Sequence, residues 1–467
     1  MLNIFDRYHQ LTFDNLHDPK RYELQIQKLF DKTKTNYGIG GLFEKNFKGI
    51  PIFSFGYDRQ SLAYALAEEV RKENYFLTPP EECRIHIQAK NKDRIVYKFH
   101  PADKIVIAVL SSLITELFSP FLSDYVFSYR AGVSNKDEVI VLGNYIKQMR
   151  KENGHRSFFI FQTDIASYSD VINVTDRCHF WPMLTSYFKK LNIEPTPYQW
   201  YLLKESIRPA YQSADGPLQC NLKGVPTGSP ITQVIYNYYI SDLDMEMEQQ
   251  ENLFYARYGD DIVLCSPDME VVEQAKNQLL DGLNKRGLAA SEKKTLQYYF
   301  SPAGNQGPNS GWRGSNRIDF LGYSLKATGE YAISVPRQKK LMLRVRKRIK
   351  NIIKMIPSET VDKKGRILSK FFNDYLSDIT NQNNPLILAV RQTNDMQELK
   401  EMDRKIALAI AEAATGKKGV KVFREVPYKK IRQEWGLRSL VELRCRLYSH
   451  TYLADALGNG RSRGELL

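Results

Sequence analysis

The chain has 467 residues, more than one hydrophobic core usually serves, so two or three subdomains are expected. Hydrophobic residues make up 42% of it, which excludes an intrinsically disordered protein. The net charge of +14 is unevenly spread: from Lys326 onward there are 30 Lys and Arg against 15 Asp and Glu, leaving the first 325 residues near neutral. No run of about 18 apolar residues occurs, so no membrane span is expected. The opening stretch from Met1 to Tyr8 lacks a basic region followed by an apolar core, so no secretory signal is expected either. The five cysteines are scattered without a Cys-x-x-Cys pair, which suits a reducing cytoplasm and argues against structural zinc.

In chain order, residues 1 to about 80 read as helical, with Tyr22, Phe30, Phe43 and Tyr64 as aromatic anchors and Pro79-Pro80 as the stop. Strand and helix patterns alternate from 81 to about 155. Arg94 and Lys98 fall on one strand, with Lys90 and Lys92 just before it. His86 and His100 flank strands and read as structural. The aromatic and β-branched run Phe158-Phe159-Ile160-Phe161 ends by delivering Asp164, where a buried strand hands a side chain to solvent. Gly224-Val225-Pro226-Thr227-Gly228 is a rigid loop of small residues that opens an apolar, buried helix. Tyr258-Gly259-Asp260-Asp261 lies between strand-favouring flanks and reads as a tight hairpin tip, with Gly259 supplying the permissive backbone. The Gly, Pro, Ser and Asn-rich stretch from Ser301 to Ser315 reads as a flexible loop, a mobile excursion whose Trp312 and Arg313 are candidates for nucleic-acid contact. Beyond it, Leu341, Val345, Ile349 and Ile352 recur at helical spacing and leave Arg344, Lys347 and Arg348 on a cationic face. A whole region carrying the charge surplus reads as a polyanion-binding surface.

Two adjacent carboxylates on an exposed turn repel each other unless a cation lies between them. The simplest occupant is a hard, oxygen-seeking divalent ion. With Asp164 as a third carboxylate, Asp260 and Asp261 suit two Mg²⁺ ions (Mn²⁺ is also compatible) and phosphoryl transfer.

The order Asp164, Gly-Val-Pro-Thr-Gly loop, Tyr-Gly-Asp-Asp resembles motifs A, B and C of reverse transcriptases. The stretch Gly287 to Thr295, with Lys294, is similar to motif D, and Phe320-Leu321-Gly322-Tyr323 to motif E, the primer grip. Lys90 to Asp103 and Ser128-Tyr129-Arg130-Ala131-Gly132 resemble the fingers of bacterial members. The resemblance runs from about residue 80 to 325. It implies an α+β right-hand polymerase fold: a helical extension at 1–80, fingers at 81–155, palm at 156–325 and a helical, basic thumb at 326–467. It implies catalysis by Asp164, Asp260 and Asp261, with a metal set of Asp164, Ile165, Asp260 and Asp261. It further implies a nucleotide site of Arg94, Lys98, Tyr168, Ser169, Gly228 and Lys294, a primer grip at Leu321 and Gly322, and duplex contacts from Arg344, Lys347 and Arg348. The expected partners are dNTPs, a non-coding RNA template or scaffold and a cDNA product. Homo-oligomers around RNA are compatible with the charge.

Three departures stand out. The fifth residue after the first catalytic Asp is an aromatic sugar gate in reverse transcriptases; here it is Ser169, with Tyr168 one position early. Either Tyr168 fills the space or ribonucleotides are weakly excluded, and the Ser169 hydroxyl is able to bond a ribose 2′-OH. Thr227 replaces the usual Gln of motif B, and Thr232-Gln233 replaces Ser-Pro. The Gly-Asp-Asp triplet and Thr232 also resemble viral RNA-dependent RNA polymerases, which keeps a ribonucleotide polymerase open. The chain has no maturase region and neither Asn-Ala-x-x-His nor Val-Thr-Gly, the retron signatures. It looks most like defence-associated and abortive-infection reverse transcriptases, which implies antiphage defence; a retron-like enzyme and a catalytically vestigial RNA scaffold are the alternatives. Three intact carboxylates weigh against the scaffold.

Overall fold

The structure is a computed structural model that describes residues 11–44, 46, 47, 50–87, 92–152, 154–213, 216–220, 223–377 and 384–447. The chain divides into two compact units, one of residues 1–134 and 159–297, the other of 135–158 and 298–467. Residues 135–158, which the sequence pattern groups with 81–134, thus cluster with the C-terminal half. Lys90 lies outside the described residues.

The first unit begins with helix α1 (Pro19–Glu44), broken at Gly38, where φ is +72°, and packed on α2 (Arg59–Arg71). Tyr22 is fully buried as expected of an anchor, but Phe43 and Tyr64 are exposed, at 53% and 60%. Their rings project from the helices because the buried stripe runs instead through Ile26, Ala63, Ala67 and Val70. Strands β1 (Glu81–Ile87) and β2 (Lys92–Lys98) pair antiparallel, Glu81 opposite Lys98. His86 Nδ1 lies 2.7 Å from Asp93 Oδ1 across this pair. Helix α3 (Pro101–Leu117) starts on a His100 cap that accepts the Ala102 N–H at 3.3 Å, with Pro101 at its first position. Ile105, Ile107, Val109, Leu110, Leu113 and Ile114 are buried, making it a core helix whose polar residues lie near its ends and on one side, as with Glu116 paired to Arg21.

The next element in the chain, α4 (Asn135–Glu152), belongs to the second unit. Strand β3 (Phe158–Asp164) leads back to the first, followed by α5 (Phe180–Lys190) and α6 (Pro197–Ile207). Short strands β4 (Ala210–Gln212) and β5 (Leu218–Cys220) extend the first sheet in the order β2-β1-β4-β5. Helices α7 (Thr232–Tyr238) and α8 (Ser241–Glu248) precede the hairpin β6 (Phe254–Tyr258) and β7 (Asp261–Ser266). Strand β7 runs antiparallel between β6 and β3. Nearly every residue of β7 is buried, as befits a central strand covered on both faces. Helix α9 (Met269–Lys285) packs on β7 and α8 through Val272, Ala275, Leu279 and Leu283. At Gly282 a Cβ would lie 2.5 Å from Leu243, so α8 and α9 approach only because that side chain is missing.

The second unit contains the parallel pair of β8 (Leu296–Phe300) and β9 (Arg313–Ser315), joined at Tyr298–Phe300. A meander follows: β10 (Arg317–Phe320), β11 (Tyr323–Lys326) and β12 (Tyr331–Ile333). The connection from Ser301 to Ser315 is largely exposed, as its composition suggests, but it buries one aromatic side chain. Trp312 is 2% exposed, packed so closely that Cβ atoms at Gly307 and Gly314 would meet backbone oxygens at 2.4 and 2.1 Å. These glycines let the loop fold onto itself and bury the indole. Helices α10 (Val335–Ile353), α11 (Val361–Tyr375) and α12 (Met396–Thr415) complete the unit, with α10 and α11 both packed on α12. Leu341, Val345 and Ile349 form the buried stripe of α10.

In the first unit, His179 caps α5 with its ring edge-on to Tyr239, centroids 4.5 Å apart, and its Nε2 lies 2.8 Å from the Tyr239 carbonyl. Burial holds this imidazole below its usual value, against the opposing pull of that carbonyl and of Asp242. A histidine depressed in the folded state stabilises fully above its unfolded value of about 6.5, and stability is lost as pH falls through it. Urea unfolding at pH 7.5 and 5.5 is expected to show a smaller stability loss in His179→Gln than in the wild type.

Candidate active site

The β6–β7 hairpin turns through two residues, Gly259 and Asp260. Gly259 has φ +67°, a left-handed conformation in which an L side chain is strained. Tyr258 and Asp261 close the hairpin as a cross-strand pair, and Asp261 is in register with Asp164 on β3. One residue pairing therefore sets two carboxylates side by side, with Asp260 at the tip.

A buried arginine holds this tip. Arg257 is fully buried, and its guanidinium forms a two-pronged pair with Asp244, Nε to Oδ1 at 2.8 Å and Nη2 to Oδ2 at 2.5 Å. Its remaining donors reach the carbonyls of Tyr236 (3.0 Å), Asn237 (2.9 Å) and Gly259 (3.1 Å). The hydroxyl of Tyr255 donates to Asp244 at 2.5 Å. One guanidinium thus ties the hairpin turn to the end of α7 and the start of α8. Removing one member of such a pair strands the other as an uncompensated buried charge. Arg257→Met is expected to destabilise the protein by about 3–5 kcal/mol in chemical denaturation.

Asp164 is 4% exposed. Its surroundings are knit by main-chain bonds: Ile165 N–H to Asp260 O (2.9 Å), Ala166 N–H to Ala289 O (2.8 Å) and Ser291 N–H to Asp164 O (2.8 Å). The Thr163 and Thr295 hydroxyls meet at 2.7 Å. The segment 289–295 is thereby laid along the end of β3, and the Lys294 ammonium pairs with Asp164 Oδ2. Asp164 Oδ1 is buried and has no hydrogen-bond partner. Burial, then the neighbouring Asp260, push the Asp261 carboxyl up to about 6, with Lys294 pulling the other way and Asp164 adding to the rise. Asp261 thus resists ionisation, which added positive charge would relieve.

Asp164, Asp260 and Lys294, but not Asp261, line a cavity of about 700 Å³ together with Arg94, Tyr129, Tyr168, Ser169 and Tyr236, among others. Arg94, Tyr168, Ser169 and Lys294 of the expected nucleotide site meet there. Lys98 does not line the cavity, although it shares a strand with Arg94. Gly228 also stays outside: it has φ +107° and lies so close to β2 that a Cβ would meet the Tyr97 carbonyl at 2.7 Å, while Thr227 O accepts the Tyr97 N–H at 2.8 Å. It joins loop to strand. The Ile165 side chain is fully buried, so only its main chain remains for a ligand. In the second unit, Leu321 and Gly322 form the two-residue turn between β10 and β11, both with positive φ, and Asn135 Nδ2 donates to Leu321 O at 3.0 Å. Arg344, Lys347 and Arg348 lie along α10, where the Arg348 guanidinium stacks over Tyr375 at 4.1 Å. Sequence reasoning missed Tyr236, Arg257 and Asp244. A lone arginine amid the apolar residues of β6 is the signal for a buried pair; Tyr236 gave none, reading as one more core residue of its helix.

Among the described residues no group of three His, Cys, Asp or Glu side chains converges to hold a metal, and Lys294 supplies the positive charge at Asp164. The donor chemistry nonetheless fits a hard divalent ion: carboxylate oxygens only, one of them buried and unpartnered. Asp164, Asp260 and Asp261 are the residues that would hold it. Binding at a hundredfold excess over Kd adds about 2.7 kcal/mol. Thermal melts are expected to shift upward with millimolar Mg²⁺ and back with chelator in the wild type, and to stay put in the Asp164→Asn/Asp260→Asn/Asp261→Asn triple variant.

The hairpin carboxylates, the strand-end carboxylate in register with them and the adjoining cavity define a polymerase-type α+β fold. Residues 89–325, just over half of the chain, match the family described as reverse transcriptase (RNA-dependent DNA polymerase). The chain belongs to this family of nucleotidyltransferases. No curated protein matches it. Similar solved structures include the apo telomerase of Candida tropicalis truncated from its C-terminal domain (12% identity, TM-score 0.42, 61% of this chain and 61% of that one). The telomerase of Candida albicans in complex with a TWJ fragment of telomeric RNA is similar at 13% identity and TM-score 0.44, covering 82% and 69%. The corresponding Candida tropicalis complex has 10% identity and TM-score 0.43, covering 87% and 70%. The chain thus spans about 61% of the first of these structures.

Proposed function

We propose that this protein copies an RNA template into DNA. The observation that carries the reading is the register of Asp164 with Asp261, beside Asp260, at a cavity whose walls bear Arg94 and Lys294. Two divalent ions held by the carboxylates would supply charge at the attacking and leaving oxygens. The primer 3′-hydroxyl attacks the α-phosphate of a dNTP, a new phosphodiester bond forms, the α–β anhydride bond breaks and pyrophosphate leaves. Arg94 and Lys294 face the triphosphate and offset its charge; Lys294 moves from Asp164 onto phosphate as the nucleotide enters. The segments named fingers, palm and thumb follow from the family resemblance. The basic helices from Lys326 onward supply the template–primer grip through Arg344, Lys347 and Arg348, with the primer end at Leu321 and Gly322. A non-coding RNA as template, Mg²⁺ as the ion, a cytoplasmic setting, assembly into homo-oligomers and a role in antiphage defence complete the proposal, supported by charge, cysteine usage and the motif pattern. Ser169 in place of an aromatic side chain favours a second reading, a polymerase of ribonucleotides.

Asp260→Asn/Asp261→Asn is expected to abolish nucleotide incorporation on the co-purified RNA while RNA binding stays nearly unchanged, and to abolish protection in a phage challenge. Retained synthesis sinks the polymerase reading; lost synthesis with retained protection sinks the role of synthesis in defence.

A further inference from the structure

We infer that Tyr236, carried by α7, selects the sugar of the incoming nucleotide, taking over the steric role that the small side chain at Ser169 leaves vacant. The inference rests on the polymerase reading above.

Three rings stand in a stack at the cavity. Tyr236 is the middle one: Tyr168 lies 5.3 Å to one side at an interplanar angle of 28°, and Tyr129 lies 5.9 Å to the other at 19°. Tyr168 is 3% exposed, and its hydroxyl donates to the Tyr236 carbonyl at 3.1 Å, so it is the buried support of the stack. The same Tyr236 carbonyl accepts from Arg257, which also holds Gly259. The main chain that carries the middle ring is therefore held by the group that holds the carboxylate turn. The ring itself is clamped on both faces and cannot swing aside as a lone surface ring would.

Ser169 is equally committed. Its hydroxyl donates to Asp170 Oδ1 at 3.0 Å, its carbonyl accepts the Val225 N–H at 2.8 Å, and its side chain is within hydrogen-bonding reach of the Tyr236 phenol. Gly224 makes this packing available, since a Cβ there would lie 3.0 Å from the Ser169 carbonyl. With its proton given to Asp170, the Ser169 hydroxyl offers a ribose 2′-OH only its acceptor lone pairs. Tyr236 lines the cavity beside that small side chain.

The carboxylates and Lys294 mark the phosphate end of the cavity, and the sugar is the next group along a nucleotide. Asp164, Ser169 and Tyr236 line one continuous surface there. A 2′-OH placed on it meets the ring of Tyr236, so ribose is rejected by space.

The test is single-nucleotide addition of dGTP and of GTP by the full chain on an RNA template with a DNA primer, read as the ratio of the two kcat/KM values. The assignment expects wild type to favour dGTP and Tyr236→Ala to lower the ratio at least about tenfold, mainly through a smaller KM for GTP. Tyr236→Phe, which keeps the ring, should retain most of the discrimination, and Ser169→Tyr in the Tyr236→Ala background should restore it. An unchanged ratio in a Tyr236→Ala protein that binds RNA like wild type overturns the assignment, as does a loss in Tyr236→Phe equal to that in Tyr236→Ala. If Tyr236→Ala does not fold, Tyr236→Leu, which fills the stack without a ring, replaces it with the same two outcomes. Wild type that favours GTP overturns the sugar gate and leaves the polymerase standing; wild type that adds neither nucleotide overturns both.

Discussion

The first unit depends on the buried pair between Arg257 and Asp244. Two charges out of water are costly, and their attraction offsets that cost only when every donor and acceptor is used. Here the guanidinium reaches a carboxylate through two prongs and three main-chain carbonyls besides, and Asp244 takes a further bond from Tyr255. A network satisfied to that degree is stiff, because any movement of one member strands a buried polar group. Its members are the hairpin turn, the end of α7 and the start of α8. The same constraint that places the carboxylates places the ring facing them.

Upon that frame the carboxylates are held in mutual opposition. Asp164 and Asp261 sit opposite each other on neighbouring strands, Asp260 precedes on the turn, and among the described residues Lys294 is the side-chain cation paired with Asp164. The Asp261 carboxyl, raised first by burial and then by Asp260, and the unpartnered Asp164 oxygen are two signs of one imbalance, carboxylates that the protein itself does not fully satisfy. Such an arrangement costs stability, and a scaffold that only bound RNA would have no use for it. A site that takes up divalent ions and polyphosphate uses that imbalance as binding energy.

Glycines make the close approaches on which the geometry rests. Gly259 turns the hairpin, Gly228 lets the loop touch β2, Gly224 lets it touch Ser169, and Gly282 lets α8 meet α9. In the second unit, Gly307 and Gly314 let a loop of polar composition bury Trp312. Glycine content therefore marks backbone proximity at these positions, as it does within the largely exposed stretch from Ser301 to Ser315.

Local chemistry was enough to place Asp164 at a strand end, Asp260 and Asp261 on a glycine turn, and an apolar stripe through Leu341, Val345 and Ile349. The alternation of side chains along a strand, the 3.6-residue helical repeat and the steric needs of a two-residue turn all act within a few residues. The motif order then carried the family and the fold. Folding in three dimensions decided the rest: that Arg94 and not Lys98 faces the cavity, that residues 135–158 cluster with the C-terminal half, that Phe43 and Tyr64 are exposed, and that Tyr236 stacks between Tyr129 and Tyr168. Each of these is a matter of which separate elements pack together. That choice depends on volumes and hydrogen bonds summed over the whole core, and no window of neighbouring residues contains them.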